Sequence, residues 1–149
     1  MKKSILILLA LLSIKLTFAQ VMQEWVAFYD GSAQAFDHPT SMALDDNGNV
    51  YVTGESFNIG NNRDYATVKY NSAGVQQWAA IYNGPGNNED YAVAIVVDTS
   101  GNVYVTGYSY GSGTYMDYAT IKYNSSGVEQ WVARYNSGEG ILDDRAVAI

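Results

Sequence analysis

The chain has 149 residues, 48% of them hydrophobic and 15% charged, a globular composition that argues against disorder and gives enough apolar material for one modest core. Fifteen acidic against eight basic residues leave a net charge of -7, so most of the surface repels a phosphate backbone and nucleic acid is excluded as a partner. There is no cysteine, which removes disulfides, thiolate nucleophiles and cysteine zinc sites together.

At the N-terminus, Lys2 and Lys3 precede an apolar run from Ile5 to Ile14 and the small-residue site Thr17-Phe18-Ala19. This is the pattern of a secretory signal peptide over 1–19, cleaved after Ala19, and it places the mature chain in the secreted or cell-surface class. The run is too short to span a bilayer and Lys15 interrupts it, so no transmembrane segment is expected in the mature chain.

Gln23 to Tyr29 alternates Trp25, Ala27 and Tyr29 with Val26 and Phe28, and reads as a strand buried on both faces. A loop from Asp30 to Pro39 leads to a small-residue strand, Thr40 to Leu44. The turn Asp45-Asp46-Asn47-Gly48 then returns the chain as Asn49 to Thr53. Glu55 to Arg63 is rich in Asn and Gly and reads as a loop. Tyr65 to Tyr70, the turn Asn71 to Gly74 and Val75 to Tyr82 complete a cycle. From Asp90 the cycle repeats: Tyr91 to Val97, a turn closed by Gly101, Asn102 to Thr106, a loop from Tyr108 to Met116, Tyr118 to Tyr123, a turn closed by Gly127, and Val128 to Tyr135. Ala146 to Ile149 matches Ala92 to Ile95 and reads as the start of another strand.

The recurrence is literal in places. Gly-Asn-Val-Tyr-Val-Thr-Gly at Gly48 to Gly54 returns at Gly101 to Gly107, and the same spacing of 53 residues separates Trp25, Trp78 and Trp131, and Tyr29, Tyr82 and Tyr135. Four antiparallel strands without a helix in a period of this length is the content of one β-propeller blade. The expected fold is therefore all-β: a signal peptide at 1–19, an outermost strand and loop of an incomplete blade at 20–37, blades at 38–90 and 91–143, and the start of a third at 144–149. Rings take about four to eight blades, so about two and a half leave the ring open, and the sequence reads as an N-terminal fragment. Trp25, Trp78 and Trp131, with Tyr29, Tyr82 and Tyr135, are expected to pack blade against blade. Gly48, Gly74, Gly101 and Gly127 are expected to close the turns.

The combination of Asp98 to Gly107 with Asp117-Tyr118-Ala119-Thr120-Ile121-Lys122-Tyr123 resembles the bacterial SBBP family, named for a seven-bladed β-propeller, over essentially all of the mature chain. The resemblance implies large exported or cell-surface proteins with no catalytic residue set attached to the repeat. Gly-Val-x-x-Trp at Gly74 to Trp78 and Gly127 to Trp131 is similar to the quinone-binding type of propeller repeat, as a packing feature without the quinone.

Among chemical motifs, Gly107-Tyr108-Ser109-Tyr110-Gly111 matches a nucleophile elbow, but a loop follows where the elbow needs a helix, and His38 is the only histidine. Asp45 to Asn49 resembles a calcium loop with its Gly misplaced and no terminal Glu, and turn chemistry explains the same residues. No catalytic residue, metal or cofactor is expected. The longer loops share one end of the blades and gather Asp37, Asp64, Asp90, Asp117 and Asp144 near Phe57, Tyr108, Tyr110 and Tyr115. Aromatics beside carboxylates suit a sugar, cation or peptide, and the expected partner is a protein, peptide or carbohydrate ligand. The alternative is that each Asp binds a backbone N–H of its own loop. The leading expectation is a non-enzymatic structural or binding scaffold. Its rivals are a propeller lyase or hydrolase whose catalytic groups lie on other blades, and a calcium-dependent adhesin.

Overall fold

The computed structural model describes residues 22–60, 62–138 and 143–149, so the expected signal peptide lies outside the described residues. Eight strands follow one another: β1 (Asp37–Leu44), β2 (Val50–Phe57), β3 (Arg63–Tyr70), β4 (Gln76–Tyr82), β5 (Asp90–Val97), β6 (Val103–Tyr110), β7 (Met116–Tyr123) and β8 (Glu129–Tyr135). They form two antiparallel sheets of four strands, ordered β1-β2-β3-β4 and β5-β6-β7-β8, so neighbours in sequence are neighbours in space. Among the described residues there is no helix, and hence none long and apolar enough to cross a membrane.

The tight hairpins form as their residues dictate. Gly48, Gly74, Gly101 and Gly127 all sit at left-handed φ between +73° and +79°, and each donates its N–H to the carbonyl of the Asp or Asn three residues earlier, at 2.9–3.0 Å. Asp45 saturates its own turn. Its carboxylate accepts from the N–H groups of Asn47 and Asn49 at 2.9 Å, from Asn49 Nδ2 at 2.7 Å and from Tyr51 Oη at 3.0 Å. Asp98 repeats the set with Ser100, Asn102 and Tyr104. Both sheets break register at the same places, at Thr40 and Val93 on the first strand and near the end of the third.

Each sheet has two unlike faces. In the first, Tyr51, Thr53, Tyr65 and Thr67 lie on the face that meets the second sheet, which answers with Ala92, Ile95, Val103, Val105, Ala119, Ile121 and Tyr123. Tyr65 Oη crosses this seam to Ala119 O at 3.3 Å, and Thr40 Oγ1 crosses it to Ala92 O at 2.8 Å. Gly107 makes the first contact possible, since a Cβ there would stand 2.6 Å from the Tyr65 hydroxyl.

Three expectations need correction. Residues 22–36 contain no strand. The stretch expected as a doubly buried strand has Trp25, Ala27 and Tyr29 half-buried but Val26 and Phe28 exposed, and only side chains hold it, because no described backbone lies alongside to form a ladder. Residues 143–149 likewise form no strand, and only Asp144 N bonds toward the sheet, to Met116 O at 2.6 Å. The segments expected as loops from Glu55 and from Tyr108 instead continue as strand to Phe57 and Tyr110. Their side chains are polar or aromatic without apolar alternation, yet the backbone ladder runs on, and pairing requires the backbone alone.

Candidate functional site at the long-loop end

The connections β2–β3, β4–β5 and β6–β7 lie at the end opposite the tight turns. Four of the five aspartates expected there fall into two groups, and Asp144 lies outside both. Asp37, Ser56 and Asp64 stand opposite one another across β1, β2 and β3, and Asp90, Ser109 and Asp117 do the same across β5, β6 and β7. Asp37 accepts from Gly31 N at 3.0 Å, Asp90 from Gly84 N at 2.6 Å and Asp144 from Ser137 N at 2.8 Å, so each holds the loop that precedes it. Asp64 accepts from Asn58 Nδ2 at 3.1 Å. Asp117 accepts from Thr114 Oγ1 at 2.9 Å, Asn136 Nδ2 at 2.9 Å and Arg134 Nη2 at 3.1 Å.

Burial shapes the charges of this row. Asp90 is wholly buried and one of its oxygens has no hydrogen-bond partner; loss of solvent pushes its pKa up to about 6, against the pull of the Gly84 N–H. Asp64 is raised for the same reason and also keeps one unpartnered oxygen. Arg134 on β8 closes the second row. Its guanidinium donates to Ser109 Oγ at 2.7 Å, Ser109 O at 2.8 Å and Tyr82 Oη of the first sheet at 2.8 Å, besides Asp117. Ser109, the serine of the elbow-like motif, is thus a buried strand residue bonded by an arginine, without the strained turn that an elbow requires.

A second cluster, with most of its members outside the residues singled out from sequence, crosses the seam at the same end. Arg63 on β3 donates from Nη1 to Glu89 Oε2 and to Tyr91 Oη, both at 2.8 Å, and its Nε lies 3.4 Å from Glu55 Oε2. Tyr91 Oη donates to Glu89 Oε2 at 2.6 Å. The guanidinium stands 5.0 Å over the Phe57 ring and 5.5 Å over that of Tyr91. Tyr91 stacks on Tyr108, with centroids 5.0 Å apart at 27°, and Arg145 stands 5.0 Å over the far ring. Tyr110 and Tyr115 form a looser pair at 6.2 Å. Loss of solvent, opposed by Arg63, raises the Glu55 pKa; loss of solvent and the bond to Glu89 push Tyr91 up to about 12. The cluster thus offers ring faces, carboxyl groups and guanidinium donors.

This cluster departs from the repeat. His38 and Glu55 pair across the first sheet where Tyr91 and Tyr108 pair across the second, and Arg63 has Met116 as its counterpart. That break in periodicity was the signal in the sequence that could have found it. The aspartates were easier to notice because they recur, and recurrence goes with a role in the frame.

The expected packing residues lie at the seam or its equivalents. Trp78 donates from Nε1 to Ser125 O at 3.1 Å and rests on Gly127, where a Cβ would come within 2.6 Å of the indole. Trp25 repeats this on the first sheet, with Ser72 O at 3.1 Å and Gly74 beneath it. Tyr82 packs edge-on against Tyr65 at 5.4 Å, Tyr29 is half-buried, and Trp131 and Tyr135 are exposed.

A family model described as Beta-propeller repeat (SBBP) matches residues 31–59, which hold β1 and β2, and residues 77–113, which run from β4 of the first sheet through β5 and β6 of the second. No curated protein matches the chain.

Proposed function

We propose that the chain is an exported β-propeller repeat protein whose four-stranded sheets are blades and whose long-loop end serves as a binding scaffold without catalysis of its own. Two family-model matches, together with two four-stranded sheets packed face to face, support the propeller reading. The observation that carries the binding reading is the non-recurrent cluster of Glu55, Arg63, Glu89, Tyr91 and Tyr108, set on a frame whose turn glycines and strand-end aspartates repeat. Stacked tyrosines offer flat apolar area, and the carboxylates and guanidinium beside them fix the orientation of hydroxyl or amide groups. This chemistry suits a carbohydrate or a polar peptide.

The test is binding of the chain to glycan and peptide arrays, with Tyr108→Ala and Glu55→Gln compared against the unaltered protein. Retained folding with loss of the bound class is expected for Tyr108→Ala. Binding untouched by either change would place the ligand elsewhere. Export is tested separately by N-terminal sequencing of the secreted product, which should begin at Gln20.

A further inference from the structure

The rim of the first sheet is an open strand edge. β4 ends the order β1-β2-β3-β4, and among the described residues no strand pairs with its outer side. This edge is fixed from within the chain: β3 lies along one side of β4, and the next strand, β5, begins the other sheet. The place of β4 at the rim therefore does not turn on how many sheets precede or follow. The two sheets approach each other most closely where β1, β2 and β3 meet β5, which leaves β4 on the side away from that contact.

A bare row of backbone N–H and C=O groups is a template for another strand, and native edges are guarded against this by charged side chains, proline or a bulge. β4 has little of that protection. From Tyr70 to Asn88 the sequence holds no Asp, Glu, Lys or Arg, whereas β8, which ends the second sheet, carries Glu129 and Arg134. What guards β4 is the register shift at its start, where Gln77 falls between the pairs Lys69 with Trp78 and Tyr70 with Gln76. Beyond it Trp78 to Tyr82 pairs regularly with β3, and Ala79 and Ile81 are exposed.

We propose that β4 pairs edge to edge with β4 of a second copy of this chain, antiparallel about a two-fold axis at Ala80, so that one sheet runs through both copies. In this register Ala79 lies opposite Ile81 of the other copy and Trp78 opposite Tyr82, each pair on a single face because side chains alternate along a strand. The missing charge is what selects the occupant. An edge without an ionic group has nothing with which to choose a charged segment, but an identical strand sets apolar side chains opposite apolar ones and buries no unpaired charge. The contact is isologous, so it closes at two copies instead of extending. It joins rims and leaves both the seam between the sheets and the loop-end cluster as they are, so it does not depend on which ligand that cluster takes.

Sedimentation velocity across a concentration series tests this on the chain, on Ala79→Glu, on Ile81→Lys and on the chain carrying both changes. The chain should dimerise, more tightly as salt screens its net charge of -7. Either single change sets a charge on the edge and should weaken the dimer by about tenfold. The double variant should recover most of that loss, because the two-fold axis places each introduced carboxylate opposite an introduced ammonium. Both positions are exposed, and the second sheet carries Arg134 at the position of Ile81, so the urea midpoint of each variant, taken where all are monomeric, should match the parent. A chain that stays monomeric at every concentration overturns the proposal and leaves the edge to an extended segment of another protein. A dimer that neither single change weakens, or that the double change leaves as weak as the singles, overturns it as well.

Discussion

At Gly127 and Gly113 two costs of adding a side chain can be separated. Both have left-handed φ, +79° and +85°, but a Cβ at Gly127 would meet the Trp78 indole whereas at Gly113 it would meet nothing within 4 Å. Gly113→Ala should therefore cost about 1 kcal/mol, the backbone term alone. Gly127→Ala should cost about 3 kcal/mol, since the indole must also move. Urea denaturation compares the two, and equal losses would mean that the indole does not rest on the turn.

Asp90 gives the fold a pH dependence whose sign follows from its burial. Its folded pKa, about 6, lies above the ordinary 3.8, so the protonated form is the one that favours folding. Its contribution is full below the unfolded value and is lost as pH rises through about 6. Glu55 and Asp64, also raised by loss of solvent, act in the same direction. Asp98 is held below its ordinary value, first by the Asn102 side chain; in Asp45 burial pushes upward but the bonds from Asn49, Tyr51 and Asn47 win. Those two stabilise above the ordinary carboxylate range, and their contribution is lost as acid protonates them. Melting temperature should rise from about pH 7.5 to about pH 5 and fall below about pH 4. Asp90→Asn should flatten the upper limb, by on the order of 2 kcal/mol.

Among the elements, β8 is tied in by Arg134 where its counterpart β4 carries Ile81. The guanidinium joins β6, β7 and, through Tyr82, the first sheet, with its side chain 21% exposed and that of Asp117 8%. Arg134→Met should cost about 2–4 kcal/mol in equilibrium denaturation, because Asp117 would be left buried with fewer donors. Lysine at this position should recover little of it, as one ammonium cannot span the four acceptors that the planar fork reaches. The tryptophans separate in the same way. Trp78→Ala opens the seam and should cost about 3–5 kcal/mol, whereas Trp25→Ala removes a side chain from an unladdered segment and should cost about 1 kcal/mol. Equal costs would mean that residues 22–29 are as firmly bound as β4.

For the whole molecule, the two sheets present an asymmetric pair of faces, tyrosines against aliphatics, and the seam between them holds the buried core. Amide hydrogen exchange should follow that asymmetry, slowest in β6 and β7, whose central residues are buried, and fast throughout 22–29. Most of the frame was legible in advance, since Gly48 and Gly101 mark the hairpins and Val103 and Val105 mark a buried face. The strand ends were less legible. Ser56 and Ser109 continue the ladder without an apolar pattern, and Trp25 to Tyr29 shows the pattern of a strand but pairs with none among the described residues. At the loop end Asp37, Asp90 and Tyr108 were visible by recurrence or type, but Arg63, Glu55, Glu89 and Tyr91 were not, because their meeting depends on two successive repeats facing each other.

The sequence by itself determined the repeat unit: four strands, tight turns closed by left-handed glycine, and an aromatic and an aliphatic side to each sheet. Those properties are local, set by φ preference and by alternation within a few residues. Only the tertiary structure decided which groups meet across the seam, such as Tyr65 with Ala119, Arg134 with Tyr82, and Arg63 with Glu89 and Tyr91. These pairings turn on the reach of long side chains between sheets, and on whether an edge has a neighbour, which is why residues 22–29 are docked by side chains and not woven into a ladder.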